Sequence, residues 1–454
     1  QDVIDANHPL ISAESIADVT YTSVASGATK LLAADFSSAN TQAGITFSFI
    51  VKAVDSNNNL DPSNTSHITI TPEAGSGLTF SLTDFGASVT EADLSGGFVT
   101  LYCRGTKAGT WNVDLGASAP VLAPASFETQ ISANNTVHHY VFETPVTAVA
   151  GSDFQMRLQA KDVYGNLVTT ANYDIGIRAV QAVDTTAASS DVISVTSGTI
   201  SGGVYSESNF SYNRAEEIRL EVSDMVSPVV GVTDLILITH APAYQIVETG
   251  GDSTGVAAGD SVLVRACVYD IYGNRVSGAG VSFSILEGGG GLAASQRFTR
   301  ADGTTSVSYR TGTAAGLNRV RAAILDGNPQ GLETQTYEIY TVPSNVISYV
   351  LLSIEGNSFR AGENFQCHAA AYDQFDNLMT TDNSSRLVPV AQSPSIAFIP
   401  DTLTLSAGEA SFTAYDTVMG VNRIAIESET GSVLAPFGEL LTITAAPAYI
   451  LAKV

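Results

Sequence analysis

One short phrase occurs four times in the chain at nearly constant spacing. In each copy, an alternating apolar pattern runs into an aspartate, and an asparagine stands four residues after that aspartate. The copies read Val-Lys-Ala-Val-Asp55-Ser-Asn-Asn-Asn, Gln-Ala-Lys-Asp162-Val-Tyr-Gly-Asn, Cys-Val-Tyr-Asp270-Ile-Tyr-Gly-Asn and Ala-Ala-Tyr-Asp373-Gln-Phe-Asp-Asn. The four aspartates lie 107, 108 and 103 residues apart. A period of this length indicates an array of similar folding units, each of about 100 residues.

The phrase predicts a strand that ends in a tight turn. The aspartate side chain can accept a hydrogen bond from the backbone two residues further on, and Gly165 or Gly273 can supply the positive φ that closes the turn. A second recurring phrase then starts another strand, and three copies reach a further glycine turn at Gly109, Gly316 and Gly420. Many short strands separated by Gly, Asn and Asp are typical of an all-β sandwich.

The repeats resemble bacterial immunoglobulin-like (Ig-like) domains of the invasin and intimin type. The resemblance rests on the Asp-x-Tyr-Gly-Asn strand end and the Asp-Gly-Thr/Ala strand start, and it covers nearly the whole chain. It implies tandem Ig-like β-sandwiches, and membership of this group implies extracellular stalks, adhesins or surface arrays. It names no ligand, because one fold serves many functions.

The sequence therefore predicts an all-β chain of tandem Ig-like β-sandwiches arranged as an elongated rod. Short proline-containing connections at His240-Ala-Pro and Thr341-Val-Pro favour a semi-rigid rod on the order of 150 Å long. The predicted domains are an N-terminal extension with an orphan strand (1–27), four Ig-like repeats (28–132, 133–240, 241–343 and 344–445) and an orphan first strand or donor strand (446–454).

Both ends of the chain carry strand patterns that lack a domain of their own. Ala446-Pro-Ala-Tyr449 repeats Ala241-Pro-Ala-Tyr244, which opens the third repeat, and Ile16–Val24 is similar to a closing strand. One interpretation is that the chain is a fragment of a longer protein. The other is strand exchange, in which terminal strands complete a sandwich in the next subunit. The candidate assembly residues are Ile16, Val19, Tyr21, Val24, Tyr449, Leu451 and Val454.

A single donated strand gives only marginal stability to an assembly. Burying Tyr449, Leu451 and Val454 contributes roughly 5–9 kcal/mol before costs. Association itself costs about 4–15 kcal/mol. A stable polymer therefore needs the N-terminal segment or a wider contact as well.

Charge and cysteine content narrow the possible partners. The formal net charge of −25 repels phosphate backbones and argues against nucleic-acid binding. The chain has no run of about 18 apolar residues, so no membrane span is predicted. Cys103, Cys267 and Cys367 lie in separate repeats, so buried core thiols are favoured over a disulfide framework, with one reactive or intermolecular cysteine as the alternative.

No catalytic motif occurs, and the chain is expected not to be an enzyme. There is no nucleophile elbow, P-loop or His-Glu-x-x-His, and the adjacent pair His138-His139 is expected to face opposite ways on a strand. No cofactor is predicted, with calcium as the one candidate ligand. Oxygen side chains at alternate positions of one loop suggest it, against the alternative of an ordinary turn. The candidate calcium residues are Asp55, Asn57, Asn59 and Asp61.

Three functions fit these features. The first is a structural subunit of an extracellular filament, fibre or surface layer, whose partners are copies of itself joined head to tail and other cell-surface components. The second is a stalk or binding segment of a large cell-surface adhesin. The third is a set of accessory domains of a secreted carbohydrate-active enzyme.

Overall fold

All the regular secondary structure described for this chain is β-strand. The computed structural model describes residues 27–38, 40–184, 193–224, 229–325 and 334–447. Strand makes up 57% of the structure, and these residues contain no helix. Alternation of apolar and polar residues explains the strands, as in Phe154–Lys161, where every second side chain is buried.

The strands fall into four successive groups. In repeat 1 they are β1 (Lys30–Ala34), β2 (Asn40–Gln42), β3 (Thr46–Val54), β4 (His67–Pro72), β5 (Leu78–Ser81), β6 (Glu91–Asp93), β7 (Phe98–Gly105), β8 (Gly109–Ser118) and β9 (Ala125–Ser132). In repeat 2 they are β10 (His139–Glu143), β11 (Thr147–Val149), β12 (Phe154–Lys161), β13 (Tyr173–Gln181), β14 (Ser197–Ile200), β15 (Val204–Phe210), β16 (Glu217–Asp224), β17 (Val230–Val232) and β18 (Ile236–Thr239).

The third and fourth groups follow the same plan. In repeat 3 they are β19 (Gln245–Gly250), β20 (Ser253–Ala257), β21 (Ser261–Tyr269), β22 (Gly280–Glu287), β23 (Gly291–Leu292), β24 (Gln296–Phe298), β25 (Thr304–Arg310), β26 (Gly316–Ile324) and β27 (Thr334–Val342). In repeat 4 they are β28 (Tyr349–Ile354), β29 (Ser358–Arg360), β30 (Asn364–Tyr372), β31 (Arg386–Ala391), β32 (Ile396–Ile399), β33 (Leu403–Thr404), β34 (Glu409–Asp416), β35 (Gly420–Asn422), β36 (Ile424–Ser428), β37 (Val433–Ala435) and β38 (Leu441–Thr444).

Strand pairing closes within each repeat. Repeat 1 has sheets ordered β1-β3-β7-β5 and β2-β9-β8-β4-β6, and repeat 3 has the corresponding sheets β19-β21-β25-β23 and β20-β27-β26-β22-β24. Repeat 2 combines β10-β12-β15 with β11-β18-β16-β13-β14, to which β17 adds. Repeat 4 has β28-β30-β34-β32, β29-β38-β35 and β33-β31-β36-β37. The predicted fold class of tandem Ig-like all-β domains is confirmed.

Each sandwich encloses its own apolar core. In repeat 1 the ring of Phe49 packs against those of Phe36, Phe80 and Phe127, with ring centroids 4.8 to 6.2 Å apart. Repeats 3 and 4 have separate clusters around Tyr337 and around Phe412. Facing sheets with interdigitated side chains are the general construction of such sandwiches.

The chain divides into two compact units. Unit 1 comprises residues 1–148, 152–212 and 217–237, and unit 2 comprises residues 149–151, 213–216 and 238–454. No helix in the described ranges is long and apolar enough to cross a membrane.

The predicted rod shape stays a prediction.

Candidate functional site: the joints between repeats

The aspartate of each recurring phrase organises the turn that follows it. Its Oδ1 accepts hydrogen bonds from the backbone N–H groups two and four residues further on, and its Oδ2 accepts one from the side-chain amide four residues further on. All twelve of these bonds measure 2.8–3.0 Å. The predicted aspartate turn is therefore confirmed in all four repeats.

The residue three after each aspartate has a positive φ. The values are 66° for Asn58, 83° for Gly165, 84° for Gly273 and 66° for Asp376. The predicted positive φ is thus confirmed at Gly165 and Gly273. Asparagine and aspartate tolerate this left-handed region better than most residues, which explains their use in the other two repeats.

In repeats 2 to 4 the same aspartate also accepts a backbone hydrogen bond from the segment where the chain enters the repeat. Its Oδ2 accepts a hydrogen bond from the backbone amide of Asn134, Ala241 or Ser344, at 2.8–2.9 Å. Burial disfavours ionisation of Asp162 and Asp373, but their hydrogen bonds outweigh it and lower the pKa of both carboxyl groups.

The asparagine four residues after the aspartate joins two repeats of unit 1. The Asn166 side chain donates from Nδ2 to the Thr106 carbonyl at 2.9 Å and accepts from the Ala108 amide at 2.8 Å. Thr106 and Ala108 lie in the glycine turn of repeat 1, whereas Asn166 lies in repeat 2. One amide therefore satisfies a backbone acceptor and a backbone donor of the neighbouring domain.

Unit 2 contains the same bidentate contact. Asn377 of repeat 4 donates to the Thr313 carbonyl and accepts from the Ala315 amide, both at 2.8 Å. Asn274 binds the segment 213–216 of the same unit in the same way, with its bonds measuring 2.7 and 2.9 Å. The same hydrogen-bond geometry therefore recurs at equivalent positions of repeats 2, 3 and 4, and we call each such contact a joint.

An aromatic ring two residues after the aspartate covers a glycine of the preceding repeat. In unit 1 Tyr164 packs on Gly44 so closely that a Cβ there would collide with the phenol oxygen. Arg104 donates to both partners, from Nη2 to the Tyr164 hydroxyl and from Nε to the Gly44 carbonyl, each at 3.1 Å. Glycine is required at position 44 both for this close approach and for its φ of 87°.

The same pairing of ring and glycine occurs in unit 2. A Cβ at Gly259 would lie 3.1 Å from the Phe375 ring, and one at Gly151 would collide with Tyr272. Arg310 donates to the Gly259 carbonyl at 2.9 Å, as Arg104 does to Gly44. Each joint therefore combines a bidentate amide, an aromatic ring and a glycine.

Sequence reasoning identified the turns but missed the joints. The missed signal is an Ala-Gly dipeptide whose glycine precedes each phrase aspartate by 11 residues. These glycines are Gly44, Gly151, Gly259 and Gly362. A second signal is the aromatic residue, which the turn itself does not need, because repeat 1 closes the same turn with Asn57.

The candidate calcium residues form hydrogen bonds of the turn. N–H groups of the turn converge on the Asp55 carboxylate, from the backbone of Asn57 and Asn59 and from the Asn59 side chain. Asp61 accepts hydrogen bonds from Ala28 and Ser63, which lower its pKa, the bond from the Ser63 hydroxyl contributing most. An N–H that points at an oxygen occupies the position that a cation would take.

The remaining candidates divide between buried and undescribed residues. Cys103, Cys267 and Cys367 are buried and unpaired as thiols, which confirms the core prediction, and burial raises the pKa of Cys103 and of Cys367 to about 12. The assembly residues lie outside the described ranges, and they are Ile16, Val19, Tyr21, Val24, Tyr449, Leu451 and Val454.

The expectation that the two adjacent histidines face opposite ways is wrong. His138 precedes strand β10, and its Nδ1 lies 3.3 Å from Nδ1 of His139. The alternation rule applies only inside a strand, so it did not apply to His138. In the described ranges, no group of three or more His, Cys, Asp or Glu side chains could hold a metal ion.

Comparison with known proteins finds structural likeness at low sequence identity. No protein-family model and no curated protein matches the chain. Invasin, a bacterial integrin-binding protein, matches over 91% of this chain and 79% of its own, with 12% identity and a TM-score of 0.39. The Escherichia coli adhesin FdeC matches over 92% and 98%, with 13% identity and a TM-score of 0.32. Domains 1–6 of the surface layer protein SbsC match over 91% and 54%, with 13% identity and a TM-score of 0.24.

Proposed function

We propose that the chain is a non-enzymatic structural subunit of an extracellular filament, fibre or surface layer. The observation that carries the proposal is the repeated joint. Asn166 in unit 1 and Asn377 in unit 2 each bind a donor and an acceptor of the neighbouring repeat, so consecutive domains are held by defined contacts rather than by a loose linker. Fixed joints suit a protein that bears load or spaces other parts.

The composition supports a secreted location. Charged residues make up only 14% of the chain, yet the net charge is −25, and a large net charge of one sign favours solubility. In this proposal the subunits join head to tail, and the terminal segments 1–27 and 446–454 take part through strand exchange. Such a contact is heterologous, so it can propagate without closing.

Electron microscopy of the full chain and of two truncations tests the proposal. The full chain should form filaments or sheets, and removal of residues 446–454 should leave dispersed particles. Removal of residues 1–27 is the matched second truncation and should have the same effect. Normal polymers from the 446–454 deletion would rule out strand exchange, and a dispersed full chain at high concentration would rule out the structural subunit.

A second candidate is a stalk segment of a large adhesin. Exposed apolar side chains beside the glycine turn of repeat 4 favour it, because that turn takes part in a joint in the other repeats. Val418, Met419 and Val421 are 56%, 63% and 64% exposed. Monomeric particles of the full chain, together with an encoding gene that continues with further Ig-like repeats, would support the stalk over the filament.

A further inference from the structure

Repeat 4 carries a second copy of the surface that receives a neighbouring domain. In repeats 1 and 3 this surface consists of a glycine, a backbone carbonyl and a backbone amide. They are Gly44, Thr106 and Ala108 in repeat 1, and Gly259, Thr313 and Ala315 in repeat 3. The corresponding residues of repeat 4 are Gly362, Thr417 and Met419. We call these three the socket.

Backbone geometry establishes the correspondence. Gly44 donates to Gly105 and Gly259 donates to Gly312, whereas Gly362 donates to Asp416, at 2.8, 3.1 and 2.7 Å. The three glycines have φ values of 87°, 82° and 82°.

The glycine turn agrees as well. Gly109, Gly316 and Gly420 have φ values of 151°, 141° and 153°. The socket of repeat 4 is therefore already folded in the shape that the occupied sockets have.

The described residues do not fill this socket. Nothing among them lies within 4 Å of a Cβ placed on Gly362, where Gly44 and Gly259 meet an aromatic ring. In the described ranges, the Thr417 carbonyl and the Met419 amide have no hydrogen-bond partner. Beside them Val418 and Val421 are more than half exposed.

We infer that this socket binds an Ig-like domain whose strand ends in an Asp-x-aromatic-x-Asn turn. The aromatic ring would cover Gly362, and the asparagine amide would donate to the Thr417 carbonyl and accept from the Met419 amide. The sequence after the socket agrees, because Ala446-Pro-Ala-Tyr449 repeats the residues that open the third repeat at Ala241. The filament proposed above joins subunits through the terminal segments 1–27 and 446–454, so it does not need a second copy to occupy the socket.

The first repeat of a second copy does not meet this requirement. Its turn has Asn57 where the other repeats have Tyr164, Tyr272 and Phe375, so it has no ring to cover the glycine. The aromatic turns of repeats 2 to 4 are already seated on Gly44, Gly151 and Gly259. The partner is therefore a further domain with an aromatic turn rather than the first repeat of another molecule of this chain.

An extended chain tests the inference. Residues 1–445 are followed directly by a second copy of residues 241–343, which supplies a turn with Tyr272 and Asn274. Hydrogen exchange of the peptide that contains the Met419 amide is compared with that of the unextended chain, residues 1–445. We expect exchange at Met419 to slow at least tenfold and to approach that of Ala315, the corresponding amide of an occupied socket in the same molecule.

Two matched variants separate docking from mere linkage. Tyr272→Asn together with Asn274→Ala, made only in the grafted copy, should return Met419 to its fast exchange while the grafted strands stay protected. Gly362→Leu should do the same by filling the socket. Unchanged exchange at Met419 beside a folded graft would overturn the inference. Concentration-dependent protection of Met419 in the unextended chain would also overturn it, because a second copy would then be the occupant.

Discussion

Removing the side chain of Asn377 should release the joint between repeats 3 and 4. Asn377→Ala deletes two hydrogen bonds of 2.8 Å to Thr313 and Ala315. A typical hydrogen bond contributes about 0.5–1.5 kcal/mol net, so the joint should lose about 1–3 kcal/mol. At 1.36 kcal/mol for each factor of ten, the opening equilibrium at this contact should rise roughly 5- to 150-fold.

Hydrogen exchange at the Ala315 amide measures this opening directly. That amide donates to Asn377 and its residue is otherwise exposed, so its protection reports the joint rather than the core. The matched control is Asn59→Ala in repeat 1, which deletes the equivalent bond within the turn, from Asn59 to Asp55 at 3.0 Å.

The control should leave exchange at Ala315 unchanged and should show the cost of the turn alone. The reasoning fails if Ala315 exchanges no faster in Asn377→Ala. It fails equally if Asn59→Ala accelerates that exchange to the same extent.

Three further outcomes are expected. Gly165→Ala should lower the free energy of unfolding by about 1–2 kcal/mol, because alanine is strained at φ 83°. Gly44→Ala should lower it further, because the added Cβ also collides with Tyr164. Urea denaturation should show that Tyr164→Ala, added to Gly44→Ala, recovers only that excess. The pKa values of Asp162 and Asp373 are lower in the folded chain than in the unfolded chain. The stabilisation from these carboxylates is therefore present above the unfolded pKa of about 3.9 and is lost as the pH falls through the folded pKa. Asp162→Asn should make the urea midpoint depend less on pH between pH 6 and pH 3. Calorimetric titration of the chain with Ca²⁺ should give no heat at the Asp55 turn, and heat that Asn57→Ala abolishes would contradict this expectation.

The sequence predicted the turns well because each residue in them has a local reason. Asp162 bonds its own backbone, and Gly165 supplies a positive φ, so four neighbouring residues are enough to specify the structure. The same approach missed the role of Asn166, because its place in the turn already accounted for it. Its second set of bonds reaches residues about 60 positions earlier, and no local rule links such distant positions.

Gly44 was missed for a similar reason. A glycine with positive φ before a strand is common, and only the ring of Tyr164 gives it a particular use. The recurrence of Ala-Gly at the same interval as the aspartate was visible in the sequence, but its meaning depends on which surfaces meet. Which residues of neighbouring repeats come into contact depends on the tertiary structure. The residues of the joint could therefore be identified only from the structure.

The Asp–Asn pair has a consequence for how the array unfolds. Asp373 and Asn377 shape the turn of repeat 4, and Asn377 also holds repeat 3. When one repeat unfolds, the hydrogen bonds of its joint to the neighbouring repeat break as well. The stability of each repeat therefore depends on whether its neighbour is folded, which is a nearest-neighbour coupling. Heat or force should therefore melt repeats 1 and 2 as one coupled pair and repeats 3 and 4 as another.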